Sequence, residues 1–310
     1  FCFFLSFVIF VILCFTSFTK ADEIRKSGFL SNEWDLNTEK KISNPENIIL
    51  IIWNHGQEDL DDPAKTCVWK NNIRNVASLS GKKVKNKEIL VYLFCTDHLG
   101  GDDWKRLWKK KFEPPYEGVT KLDKRVNANL ELIDEFIKMG VPNKQIILSG
   151  QSCGGWMTMM LMAKYPEKVA GGIITMPACY GKLSKKHKVK KVGVEKALEK
   201  FKKKYPGPAE LRKKQIVEIK KSKNLPVLVF THPQDPYDGL LSDWVEEIPG
   251  IKRVVASEDL KINGKVCKRT GINNGERWTE KTKNGHKISI AECFQYYNPM
   301  ILDFISSRVQ

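Results

Sequence analysis

The sequence predicts an α/β fold: a doubly wound, mostly parallel sheet with flanking helices. Three observations carry this. Apolar runs at 47–53 (NIILIIW), 88–94 (EILVYLF), 145–150 (QIILSG), 169–176 (VAGGIITM) and 226–231 (PVLVFT) do not alternate polar with apolar residues. Runs of that kind suit strands buried on both faces, as in a parallel sheet. Helical patterns lie between them, and strands alternating with helices build doubly wound domains. The third observation is a glycine-rich passage at 150–155 (GQSCGG) that joins one such run to a helical segment.

The elements follow in order. In 121–140, Val126, Leu130, Leu132, Ile133, Phe136 and Ile137 share one broad helical face, and Gly140 stands where a helix end in the left-handed region wants glycine. A Met-rich helix from about 155 breaks at Pro166. Residues 181–223 read as two helices. Val194, Ala197, Leu198, Phe201 and Tyr205 fall at helical spacing, and after a YPGP break Pro208 starts a run through Leu211, Ile216 and Ile219. We read this as a helical insertion or lid on a single domain spanning 22–310, not as a second domain.

The chain has 310 residues, of which 42% are hydrophobic, enough for a large core and far from the composition of disordered or collagen-like chains. Residues 1–18 are almost continuously apolar, and small Thr19 and Ala21 precede Asp22. That pattern predicts a signal peptide over 1–21 whose start is truncated, since the chain opens on Phe1, and a periplasmic or secreted protein. The alternative is a membrane anchor formed by residues 1–18. Export leaves six cysteines, an even number that favours disulfides. Cys67–Cys95 and Cys267–Cys293 are the expected pairs, and Cys153, if paired, goes with Cys179. No CxxC or Cys/His cluster has metal-binding spacing, so no metal is expected.

The net charge is +16, and 181–223 holds 17 Lys or Arg against 4 Glu. The run lacks interleaved aromatic residues for stacking on bases, so nucleic acid is not the expected partner. A solvated helical surface is the plain reading. A basic lid that favours anionic substrates or contacts an anionic surface is the sharper one.

Gly150-Gln151-Ser152-Cys153-Gly154 has the G-x-S-x-G pattern between a buried strand and a helix. A serine lifted clear of a sheet on a strained turn needs small residues two before and two after it, and Gly150 and Gly154 meet that need. Shifting the frame to make Cys153 the nucleophile would place Gln151 at the leading small position. Ser152 is therefore the expected nucleophile, and the backbone N–H of Cys153 an oxyanion donor. With this turn the order along the chain is serine, acid, histidine. Of the five histidines, His286 alone comes late enough to serve as base. The acid should follow the strand ending at Thr231, in HPQDPYDG, which offers Asp235 and, in reserve, Asp238. Either aspartate also suits capping of the helix expected near Leu240. The second oxyanion donor should follow the first strand, in WNHGQ, from Gly56 or Gln57. His55 then reads as structural or as part of the pocket, with Trp53, Trp104, Trp108 and Trp156 as candidate aromatic lining.

WNHGQ, GQSCGG, THPQDPYDG and NGH, in that order from residue 47 to residue 304, resemble the α/β-hydrolase superfamily, in particular exported serine esterases of the dienelactone-hydrolase-like or acyl-peptidase-like kind. The resemblance implies a Ser–His–Asp triad, two backbone oxyanion donors, no cofactor, and hydrolysis of a small-molecule or polymeric ester. Dienelactone hydrolases proper carry cysteine where this chain has Ser152. The interval of 51 residues from Asp235 to His286 is long, with room for an extra hairpin, and Lys287 stands where a smaller or apolar residue is expected. An exported serine peptidase and a non-catalytic binding protein on the same fold are the rival readings, and a polyanion-binding surface protein is a third.

Overall fold

The computed structural model describes residues 23–24, 26–56, 67–69, 72–96, 120–256, 261–262, 265–266, 268–273, 276–281 and 285–310. The expected signal segment, Gln57, Trp104, Trp108 and Cys267 lie outside them. Nine strands form the main sheet: β1 (Gly28–Leu30), β2 (Leu36–Asn37), β3 (Ile48–Asn54), β4 (Lys83–Val84), β5 (Lys87–Phe94), β6 (Ile146–Gln151), β7 (Gly171–Thr175), β8 (Val227–Thr231) and β9 (Ile251–Val255). The order across the sheet is β9-β8-β7-β6-β3-β5-β1-β2, with β4 paired to β5. Strands β9, β8, β7, β6, β3 and β5 are mutually parallel, and β1, β2 and β4 add an antiparallel edge.

The five predicted runs are β3, β5, β6, β7 and β8, and their middles are apolar on both sides because each face of the sheet has its own core. Leu50 and Ile52 point into one, with Val126, Ile133 and Phe136 of the helix Lys121–Lys138. Ile49, Ile51 and Trp53 point into the other, with Ile73 and with Phe304 and Ile305 of the C-terminal helix Asn298–Arg308. Residues 49–52 are wholly buried, and each such side chain contributes about 1.5–3 kcal/mol.

The helices are α1 (Arg74–Ala77), α2 (Lys121–Lys138), α3 (Cys153–Lys164), α4 (Leu183–Lys186), α5 (Val189–Val192), α6 (Val194–Lys204), α7 (Pro206–Lys220) and α8 (Asn298–Arg308). Helix α2 is capped by Thr120, whose hydroxyl accepts from the Asp123 N–H at 3.2 Å, and Gly140 beyond its end has φ +97°. The insertion holds four helices, not two: a pair of one-turn helices, α4 and α5, precedes the expected pair, α6 and α7. The expected hairpin before His286 is also there, β10 (Lys268–Asn273) against β11 (Glu276–Lys281). Among the described residues no helix is long and apolar enough to cross a membrane.

Two expectations are corrected. The helix near Leu240 is a 3-10 segment, Gly239–Glu247, and Asp238 at its start makes no side-chain cap bond. The sheet also extends beyond the predicted strands. β9 at one edge is partly exposed along its length, so its sequence carries Lys252 and Arg253 and no buried run. β1 and β2 are too short to show a period.

Chain connectivity places the site. From β3 the chain passes to β5 on one side, then returns to β6 on the other, so the crossover direction reverses between β3 and β6. Ligand sites in open α/β sheets lie at such a reversal, beyond the carboxyl ends of the strands. Asn54, at the end of β3, is in register with Gly150, at the end of β6.

Candidate active site

Ser152 stands between β6 and α3 at φ 56° and ψ −121°, a region that non-glycine residues rarely occupy. The turn is held because its neighbours leave no alternative. A Cβ on Gly150 would lie 2.5 Å from the backbone of Gly154. One on Gly154 would collide with the carbonyl oxygens of Asn54 and His55, and one on Gly155 would meet Ile174 Cγ2 at 2.6 Å. The last contact shows how closely α3 rides over β7. Gly154→Ala is expected to destabilise the fold by about 3 kcal/mol, because the atoms in the way are backbone and cannot rotate aside. Urea denaturation measures it, and a loss under about 1 kcal/mol would contradict this account.

The residues expected to act together are brought together. His286 Nε2 lies 2.9 Å from Ser152 Oγ, and His286 Nδ1 lies 2.8 Å from Asp235 Oδ2. All three side chains are buried. The Asp235 carboxylate accepts from His286 with Oδ2 and from the Tyr237 N–H with Oδ1 at 2.8 Å, so one aspartate both faces the imidazole and shapes its own turn. Its acceptance from Nδ1 puts the imidazole proton there and leaves Nε2 as acceptor. Two donors face Nε2: the serine hydroxyl and, at 3.3 Å, Gln151 Nε2. The serine hydroxyl has a second acceptor in the Ala178 carbonyl at 3.2 Å.

Asp238 is also buried, but its partner is different. Arg212 Nη2 of α7 lies 3.4 Å from Asp238 Oδ1 and also donates to the Leu241 carbonyl at 3.2 Å. Burial pushes the Asp238 carboxyl up to about 6 against the pull of Arg212. The reserve acid is thus engaged by α7, and the geometry places Asp235 against His286.

Around the expected oxyanion donors, Gly56 lies against the serine: a Cβ on it would be 3.2 Å from Ser152 Cβ and 2.7 Å from Gln151 Oε1. Cys153 begins α3, where backbone N–H groups lack intrahelical acceptors and the helix dipole favours negative charge. His55 is fully buried. The Thr96 N–H donates to its Nε2 at 3.2 Å, which leaves Nδ1–H to donate to the Gly56 carbonyl at 2.7 Å. Burial, then the charges of Arg125 and Lys121, hold His55 well below its ordinary pKa, and the neutral ring suits this clamp. Arg125 of α2 donates to the His55 carbonyl. Because the peptide is trans, the Gly56 N–H then points away from Arg125.

The expected aromatic lining is corrected too. Trp156 is core. Its indole N–H donates to Gln215 Oε1 at 2.7 Å, and its ring packs edge-on against Tyr180 and Trp244. Trp53 is buried on the other face of the sheet, beside a cavity of about 30 Å³. The aromatic residue at the site is Tyr237, whose ring centroid lies 4.1 Å from that of His286. Sequence reasoning missed Tyr237, Gln151 and Arg125. The first two adjoin Asp235 and Ser152 in the chain, a signal that was present. Gly285 packs against the His232 ring with no space for a side chain, which seats the turn that carries His286.

Cys67–Cys95 is disulfide-bonded as expected, and Cys153–Cys179 is too, with Cα separations of 5.4 and 4.5 Å. The second closes a 26-residue span from the elbow to the end of β7, a loop entropy of about 3.5 kcal/mol. Cys293 is disulfide-bonded as well. Among the described residues no group of three or more His, Cys, Asp or Glu is arranged to hold a metal ion.

A cleft of about 880 Å³ opens over the pair Asp235–His286, between the β8 loop and α4–α5.

Residues 115–232 match the family model of serine aminopeptidases, S33, a segment that holds the elbow and ends before Asp235 and His286. No curated protein sequence matches the chain. Similar solved structures include an esterase from Rhizomucor miehei (13% identity, 85% of this chain and 76% of the other, TM-score 0.48). Others are an esterase from Pyrobaculum calidifontis (17%, 85% and 78%, 0.47) and a predicted CIB-like hydrolase from Thermoplasma acidophilum (15%, 92% and 99%, 0.44). Strand order and elbow give this chain the α/β-hydrolase fold. The matched segment is similar to the S33 serine aminopeptidases.

Proposed function

We propose that this protein is a serine hydrolase of carboxylic esters, acting through an acyl-enzyme on Ser152. The observation that carries the reading is the unbroken chain from Ser152 Oγ through His286 to Asp235, at 2.9 and 2.8 Å, on a strained elbow. His286 Nε2 removes the hydroxyl proton as Oγ bonds to the ester carbonyl carbon. Asp235 stabilises the imidazolium that forms. Negative charge on the carbonyl oxygen is met by the backbone N–H of Cys153 and by that of Gly56 or Gln57. The imidazolium then protonates the departing alkoxide, and water, deprotonated by the same nitrogen, releases the acid and restores Ser152.

A second reading, peptidase action on aminoacyl amides, is favoured by the family match. An aminopeptidase holds a cationic amino terminus, which calls for a carboxylate in the cleft. Among the described lining residues the one carboxylate is Asp235, already engaged by His286, and lysines surround it. That environment repels an ammonium group and supports the ester reading. The apolar N-terminal run and the paired cysteines support export to the periplasm or beyond.

The test is labelling of the folded protein by a fluorophosphonate probe, in wild type and in Ser152→Ala. Labelling that depends on Ser152 is expected. Its absence from folded wild-type protein would leave the non-catalytic reading in place.

A further inference from the structure

The cleft over His286 is built from the most basic part of the insertion. Six lysines line it: Lys182, Lys185, Lys188, Lys190, Lys191 and Lys287. Their placement follows from local folding. Leu183, His187 and Val189 are buried, with His187 edge-on to Phe201 at 5.6 Å, and Lys188 takes a left-handed turn between α4 and α5. The apolar side of the segment faces the core, and the lysines between are left exposed at the cleft. The segment is also fixed to the acid's loop: the Ser184 N–H donates to the Tyr237 carbonyl at 2.6 Å and the Lys185 N–H to the Pro236 carbonyl at 3.0 Å. Lys182 Nζ lies 5.9 Å from the centre of the Tyr237 ring, which stacks on His286. The backbone that carries these lysines is therefore tied directly to the Asp235 loop.

Compensation separates this cluster from three lysines on and just after α7. Lys214, Lys220 and Lys221 pair with Glu210, Glu247 and Glu218. Among the described residues Lys182, Lys185, Lys188, Lys190 and Lys191 have no carboxylate partner. Like charges gathered in a concave site repel one another and focus a positive potential on whatever enters. The volume falls in the range of small-molecule sites, roughly 300–1,000 Å³, and the cleft is concave where a membrane or polyanion would need a broad face.

We infer that this cleft selects small anionic esters, in which a carboxylate or phosphate on the substrate is held by the α4–α5 lysines while the ester carbonyl lies at Ser152. The inference rests on the serine-hydrolase reading above. Lysine suits this role because its ammonium is a compact charge on a flexible stem with three donors, able to follow anions of different shape.

The experiment compares p-nitrophenyl butyrate with mono-p-nitrophenyl glutarate, which adds a carboxylate to a similar acyl chain. Wild type is expected to favour the glutarate ester by about tenfold or more in kcat/KM at low salt, the worth of one charge-assisted hydrogen bond. The preference should shrink as salt shortens the screening length. In Lys185→Gln/Lys188→Gln/Lys191→Gln the ratio of the two rates should fall to about one, whereas Lys196→Gln/Lys203→Gln/Lys213→Gln, on the outer faces of α6 and α7, should keep it. No preference in wild type overturns the inference. So does an equal loss in both triple variants, which is the mark of a general surface charge or polyanion-binding face. If neither ester turns over, calorimetric binding of the glutarate ester to Ser152→Ala decides. Binding weakened about tenfold by replacing the cleft lysines sustains the anion site, and no binding overturns it. The fluorophosphonate label reports separately on the serine reading.

Discussion

Replacing Ser152 with alanine is expected to lower kcat for ester hydrolysis by on the order of 10⁶-fold, with KM little changed. The size follows from the arrangement. In the proposed mechanism Ser152 Oγ is the group that bonds to carbon, and without it the remaining contributions would come from the proposed oxyanion donors and from binding. His286→Ala should cost nearly as much, because a serine hydroxyl at neutral pH is a weak nucleophile without a base at 2.9 Å. The double variant Ser152→Ala/His286→Ala should be no slower than either single one, since groups that act as one unit lose their effect together. Steady-state kinetics on p-nitrophenyl butyrate checks this. Additive losses would mean that the two side chains act in separate steps, and a residual rate in Ser152→Ala within about tenfold of wild type would remove the serine from the chemistry. Folding must be verified by circular dichroism. Removing the Ser152 side chain relaxes no packing contact of consequence, so the fold should persist.

Much of this was legible in the sequence because it rests on short-range rules. A parallel strand covered on both faces must be apolar through its middle, and β3, β5, β6, β7 and β8 are, with polar residues only towards their ends. An elbow must be flanked by residues without side chains, and Gly150, Gly154 and Gly155 mark it with three contacts that no Cβ tolerates. His286 followed from its place late in the chain. What was not legible depends on residues that meet only after folding. β9 is half covered, so its apolar and charged residues are mixed. Trp53 and Trp156 looked like pocket lining near the site, yet one lies on the opposite face of the sheet and the other beneath α7. Arg125, some 70 residues beyond His55, holds that residue's carbonyl, a contact no spacing announces. The lysines at 182–191 are part of an evenly basic stretch in sequence. Their distinction from those on α6 and α7 comes from two backbone hydrogen bonds that fold α4 over the Asp235 loop.

Asp235 and Asp238 share one loop, and the sequence offers Asp235 as the acid with Asp238 in reserve. The structure separates them by partner, which leads to unequal consequences. Asp235→Asn should lower kcat by about 10⁴-fold, because an amide in that place can donate to Nδ1 and favours the imidazole tautomer that carries its proton on Nε2, where it cannot accept from the serine. Asp238→Asn should leave kcat within about tenfold, since that side chain faces Arg212 and does not touch His286. Its effect should fall on stability and on the pH dependence of stability. The folded-state pKa of Asp238, about 6, stands above the unfolded value of 3.8, so between those values the native state binds the proton more tightly. The contribution of this group to stability therefore falls as pH rises from about 4 to about 6, and above 6 the charged carboxylate is held chiefly by Arg212, with His286 adding to it. Denaturant midpoints measured across that window should decline less steeply in Asp238→Asn than in wild type. If instead Asp238→Asn abolishes turnover while Asp235→Asn spares it, the assignment of the acid is reversed, and Arg212 becomes part of the charge balance at the proposed base His286 and not only a tie between α7 and the Asp238 loop.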